Sequence, residues 1–84
     1  MSVACTLPGA LAGTAESWTG EVLVVSSPRA FAPGAPLRVE LGALTVEAKS
    51  LGSKKRDDGR FEVRLRAVNL RREQRLALDA LFAG

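Results

Sequence analysis

Three groups of side chains in this sequence could do chemistry: the lone thiol of Cys5, the adjacent carboxylates Asp57 and Asp58, and the lysines and arginines spread from Lys49 to Arg75. A nucleophilic cysteine needs a base or a cation that favours its thiolate. The sequence contains no histidine to serve as one, and Cys5 reads as a small apolar residue of an N-terminal strand. A zinc site takes about four nitrogen or sulfur ligands, which a single cysteine without histidine does not supply. No Ser-His or Cys-His pair exists, and no glycine-rich loop joins a strand to a helix to cradle phosphate. Asp57 and Asp58 have the type for acid/base work or for a divalent cation. Beside Lys54-Lys55-Arg56, however, they read as a solvated turn of mixed charge. The chain is therefore expected not to be an enzyme and to use no metal or other cofactor.

The elements that position these groups follow from hydrophobic period and turn chemistry. Ser2 to Leu7 has strand composition and stops at Pro8-Gly9, with a small-residue loop, Ala10 to Gly13, after it. Ala15 to Ser26 reads as one long strand with Trp18 near its start and the apolar run Val22-Leu23-Val24-Val25 at its end, and with Gly20 as a bulge or bend. Pro28, Pro33, Gly34 and Pro36 exclude helix from the next loop. Leu37, Val39 and Leu41 then alternate with Arg38 and Glu40, and Leu44, Val46 and Ala48 with Thr45, Glu47 and Lys49, so Gly42-Ala43 joins two half-buried strands as a hairpin. Phe61, Val63, Leu65 and Ala67 form a further alternating strand. It is reached through a polar turn, Gly52 to Gly59, in which Asp58-Gly59 is the hairpin signal. A helix over about Arg71 to Phe82 is expected next, with Asn69 as its N-cap and Leu70, Ala77, Leu78, Leu81 and Phe82 on its apolar face. Gly84 ends it.

One domain over residues 1–84 is expected from the length, with a small core. The fold class is mainly β: an antiparallel barrel of about six strands, curled to protect its edges, with one C-terminal helix over an opening. Trp18 and the three phenylalanines are expected in the core. The N-terminal run MSVACTLPGALAG has no preceding basic residue and breaks at Pro8-Gly9, so no targeting segment is expected there. No run approaches the roughly 20 apolar residues of a membrane span. The expected location is the cytoplasm, and one cysteine is compatible with it.

The stretch GEVLVVSSPRAFAPGAPLRVEL, Gly20 to Leu41, resembles the central region of a PilZ domain, and the similarity extends over roughly residues 15–84. In that family a strand ends in Asp/Asn-x-Ser-x-x-Gly, followed by a Pro/Gly turn and an alternating strand. The corresponding positions here are Val24, Ser26 and Arg29, so only the serine is kept. An N-terminal Arg-x-x-x-Arg, which in typical members clamps cyclic di-GMP through the planar guanidinium fork, is absent, since no basic residue precedes Arg29. The resemblance thus implies the PilZ barrel without its usual ligand. It points to a protein-interaction adaptor like those members of bacterial motility, pilus and signalling systems that have lost the nucleotide motif.

Charge is divided unevenly. From Lys49 to Arg75 there are ten basic and four acidic residues, against two basic and five acidic elsewhere, for a net +3. If Phe61, Val63 and Leu65 face inward, Arg60, Arg64 and Arg66 share the outer face of one strand, and Arg71, Arg72 and Arg75 extend the patch onto the helix. The expected partner is a protein, bound at the surface left by the lost motif. Leu23, Val24 and Arg29 stand near its centre, with Arg60, Arg64 and Arg66 as a steering rim. Two alternatives belong to other classes. One is a cyclic di-GMP receptor with an unconventional site, in which Arg29 would replace several lost polar contacts. The other is a basic barrel binding nucleic acid, which has no aromatic side chains interleaved with its arginines to stack bases.

Overall fold

Alternation of inward and outward side chains is what turns this chain into a sheet, and the period holds most regularly in the fourth strand, where Leu37, Val39 and Leu41 are buried and Arg38 and Glu40 exposed. In the computed structural model, which describes residues 2–83, six strands and a helix follow one another. They are β1 (Val3–Leu7), β2 (Leu11–Trp18), β3 (Val22–Ser27), β4 (Pro36–Leu41), β5 (Leu44–Lys55), β6 (Phe61–Ala67) and α1 (Arg72–Leu81). All pairings are antiparallel, and the strands close into a barrel in the order β1-β2-β3-β6-β5-β4. The closing seam is thin, with Thr6 opposite Glu40 as its one registered pair. Met1 and Gly84, the expected helix stop, lie outside the described residues.

The mainly-β barrel with a C-terminal helix expected from sequence is the fold observed, but three boundaries move. The small-residue stretch after Pro8-Gly9 is strand rather than loop: Leu7 pairs with Leu11, Cys5 with Gly13 and Val3 with Ala15. Gly9 and Ala10, both at positive φ, make the turn tight. Cross-strand pairing here overrides the weak strand propensity of Ala12 and Gly13. The long strand from Ala15 to Ser26 is in fact two, divided by a hairpin turn. Gly20 adopts a φ of 99°, and the Thr19 amide donates to the Val22 carbonyl at 3.1 Å. Gly20 is thus the turn, and the irregularity in this ladder lies instead between Ala15 and Ser17.

The third difference shapes the outer surface of β5 and β6. β5 does not stop before Gly52 but runs to Lys55, and its pairing with β6 shifts between Ser50 and Gly52. Ser50 opposes Leu65 and Gly52 opposes Arg64, so Leu51 is the extra residue of a β-bulge,. Only the tip, around Asp57, Asp58 and Gly59, is turn; Asp58 accepts a hydrogen bond from the Arg60 amide at 2.9 Å. The expected hairpins at Gly42-Ala43 and Asp58-Gly59 are both present, each with its glycine at positive φ.

The core is formed inside the barrel by Leu7, Ala15, Leu23, Val25, Val39, Val46, Val63 and Leu65 with their neighbours. One end is covered by α1, whose Leu78 is fully buried, while Leu70, Leu81 and Phe82 pack against the core from the rim. Asn69 is not the N-cap. It sits at a φ of 50° in the connection, and the helix starts after Arg71, whose amide donates to Gln74 Oε1 at 2.9 Å. Gln74 Nε2 in turn donates to the Thr45 carbonyl at 2.8 Å, tying the first helical turn to β5. The four aromatic side chains are half-buried rather than central: Trp18, Phe31, Phe61 and Phe82 pack against the core from its periphery. At the rim a large ring buries much of its apolar surface while one edge stays wet. Trp18 Nε1 donates to Asp79 Oδ1 at 2.8 Å, a second tie to the helix. Among the described residues, no helix is long and apolar enough to cross a membrane.

Candidate interaction surface

β3 carries the motif-like residues, and its pairing decides which way each one points. Leu23 lies opposite Leu65 and is 1% exposed, so it belongs to the core and not to a partner surface. Val24 faces outward, half-buried between Ser17 of β2 and Arg64 of β6. Ser26 also faces outward, in register with Thr14 and Glu62, yet it is only 6% exposed. It is covered by Arg60, whose Nε donates to Ser26 Oγ at 2.8 Å and whose terminal nitrogen reaches the carbonyls of Ser26 and Ala12 at 3.3 Å. Arg60 therefore stitches β6, β3 and β2 together and is not a free steering charge.

Arg29 stands apart from Val24. It is exposed, in the loop beyond the strand end, and at about 3.3 Å per residue Ser27 already lies roughly 10 Å along β3 from Val24. Ser27, which the motif reading passed over, shapes this exit. Fully buried, its hydroxyl donates to the Arg29 carbonyl at 2.7 Å and accepts from the Arg29 amide at 3.1 Å. The same loop is held further on by β5. Ser50 and Ser53 hydroxyls donate to the Phe31 carbonyl at 3.1 and 2.8 Å, and the Phe31 amide donates to Ser53 Oγ at 2.8 Å. These serines satisfy loop backbone that the half-buried Phe31 draws against the barrel.

Over the outer face of β2, β3 and β6 lies a second polar layer. Arg56 meets the Glu16 carboxylate with both terminal nitrogens and reaches Glu62 Oε1 at 3.1 Å. The guanidinium holds the Glu16 carboxyl below its ordinary value, and the two carboxylates keep Arg56 firmly protonated. Together with Arg60, this layer leaves the face around Ser26 hydrogen-bonded to itself. Cys5 is buried, and burial pushes its thiol up, so the nucleophilic thiolate is disfavoured,. No cluster of three metal-ligating side chains occurs among the described residues.

The open chemistry lies one strand further round, on β5 and β6. Arg64 and Arg66 are exposed as expected. Arg66 stands directly opposite Lys49, also exposed, while Arg64 stands opposite Gly52, which has no side chain to meet it. Elsewhere on the sheet Arg38 pairs across the ladder with Glu47 at 3.6 Å and Lys54 stands opposite Glu62, while Lys55 stands opposite Phe61. Among the described residues, Lys49, Arg64 and Arg66 form no ion pair. The bulge residue Leu51 projects among them and is 49% exposed. An open groove of about 550 Å³ is lined here by Pro33, Lys49, Leu51, Arg66, Val68 and Asn69 among others. A neighbouring depression of about 440 Å³ shares Lys49 and Val68 and reaches Leu37. Of the helix arginines, Arg75 lines a small hollow with Glu21, Arg66 and Leu70.

Sequence reasoning brought out Arg64 and Arg66 but missed Lys49 as their neighbour and Leu51 as the apolar centre. The available signal was the slip in alternation after Ala48, where Ser50, Leu51 and Gly52 no longer fit one period. Protein-family models, curated proteins and solved structures were all compared with the chain, and none matches.

Proposed function

We propose that this chain is a non-enzymatic protein-interaction module, a PilZ-like barrel of the adaptor kind that does not bind cyclic di-GMP and works in the bacterial cytoplasm, in motility, pilus or signalling systems. The resemblance of Gly20 to Leu41 to the PilZ motif region supports the family. The loss of the ligand is carried by one observation: Ser26, the retained motif residue, is buried with its hydroxyl engaged by Arg60. Val24 beside it offers no hydrogen bond, and Arg29 is on a loop beyond the strand. A nucleotide at this face would have to displace the Arg60 and Arg56 contacts before making its own. An interaction role is supported by the exposed Leu51 among unneutralised cations, since apolar anchors next to arginine are the usual make-up of binding hot spots,. The same cations serve a nucleic-acid reading less well, because all four aromatic rings are engaged at the core rim and none stands free to stack a base,.

Calorimetry with cyclic di-GMP tests the reading. The expected result is no binding tighter than about 100 μM, roughly 5.5 kcal/mol. A low-micromolar isotherm of one or two nucleotides per chain overturns it.

A further inference from the structure

We infer that the groove across β5 and β6 receives an acidic segment of a partner protein, with an apolar side chain of that segment seated against Leu51 and Pro33. This rests on the interaction-module reading and adds where the partner binds and what it is made of. Lys49 and Arg66 are directly opposed on one face of an antiparallel pair, an arrangement that destabilises a sheet unless an anion lies between or above them,. Arg64 follows two residues before Arg66, about 6.5–7 Å along the strand, and faces a glycine. Lys49, Arg64 and Arg66 thus lie together without an ion pair among the described residues, with Glu47 lining the depression beside Lys49 and Glu21 the hollow beside Arg66.

The apolar component is equally local. The bulge turns Leu51 outward, and the ordered loop at Pro33 and Gly34 forms one wall: the Gly34 amide donates to the Ser50 carbonyl at 2.7 Å. β6 is paired on both sides along this stretch, whereas β5 is paired with β4 only as far as Lys49, beyond which Gly34 and Ala35 of the loop take up the Ser50 backbone, so recognition in the groove is assigned to side chains. Positive charge around a leucine, with no exposed ring, matches acidic residues flanking an apolar one. It does not match a polynucleotide, whose bases require stacking surfaces.

The test is a titration of the isotope-labelled chain, followed by amide chemical shifts, with three probes. The first is a twelve-residue Asp/Glu peptide carrying a central Leu-Phe, the second is the same peptide with Ala-Ala in their place, and the third is a twelve-nucleotide oligo-dT. The expected result is saturable shifts centred on Lys49, Leu51, Gly52, Arg66 and Val68 with the Leu-Phe peptide, at least fivefold weaker binding of the Ala-Ala peptide, and weaker binding still of oligo-dT. Arg66→Glu should weaken both peptides at least tenfold, and Leu51→Ser should erase the preference between them. Both positions are exposed, and unchanged melting temperatures should show both variants folded. The inference is overturned by no response to the Leu-Phe peptide, by shifts centred elsewhere, by equal binding of the two peptides, or by tighter binding of oligo-dT. Cyclic di-GMP calorimetry decides the wider reading independently of all four.

Discussion

Arg56, just beyond the end of β5, holds Glu62 on the neighbouring β6 and Glu16 on β2, two strands further round. All three side chains are roughly a third exposed, so solvent screening limits what the cluster contributes,. A double-mutant cycle with Glu16→Gln and Arg56→Met is expected to give a coupling of about 0.5–1 kcal/mol in urea melts at pH 7. The sign of its pH dependence follows from Glu16. Its carboxyl is held below the ordinary 4.5, so the contribution is complete above that value and is lost as the pH falls below it,. Once Glu16 is protonated the coupling should vanish; a coupling that persists in acid would mean that Arg56 acts through packing instead. The candidate site was poorly legible at this scale. Arg56 and Arg60 look in the sequence like two more charges of a basic patch. Only strand pairing reveals that they are already spent on Glu16, Glu62 and Ser26, while the unremarkable Lys49 is left free.

Among the strands, β2 depends on the absence of a side chain at Gly13. A Cβ there would stand 2.9 Å from Leu7 Cδ1, 2.9 Å from the Ser26 carbonyl oxygen and 3.2 Å from Cys5 Sγ. The leucine can rotate, but the carbonyl belongs to the β3 ladder and is also held by Arg60. Gly13→Ala is therefore expected to destabilise the barrel by about 1–3 kcal/mol, against less than about 0.5 for the outward Ala12→Ser. Chemical denaturation of the two variants checks it, and equal stability would place Gly13 in a looser wall than described. Strands with large apolar residues at alternate positions were legible: β4, the first half of β5 and β6 could be read directly. The first half of β2 was not, because Gly13, a position that close packing keeps small, stands among small residues that resemble a loop in composition. The second half of β5 was lost for a related reason, since the bulge at Leu51 breaks the period on which the reading relied.

For the molecule as a whole, the barrel and helix form one structure only through a few contacts. Leu78 is the fully buried one, while Gln74 and Trp18 add hydrogen bonds at either side. A ten-residue helix is marginal in isolation, so α1 takes its stability from this docking,. Leu78→Ala is expected to cost about 2–5 kcal/mol, a large part of the roughly 4–13 kcal/mol available to a chain of this size. Leu76→Ala, at a residue 58% exposed, should change stability by less than about 0.5 kcal/mol,. Comparable losses in urea melts would mean that the helix presents a different face to the barrel. The phase of the helix was readable from Leu78 and Leu81, but its start was not. Asn69 has the chemistry of a cap, yet the connection needs it at positive φ, and Gln74 does the capping from inside the helix.

The bulge in β5 also bears on how this chain should be aligned with others. Ser50 and Gly52 face consecutive residues of β6, so a relative one residue shorter at Leu51 would keep every strand pair on both sides unchanged. A single-position gap opposite Leu51 would therefore be silent for the architecture while removing the apolar projection from its ring of cations. Two sequences separated only by that gap would share a barrel and differ in what they can hold.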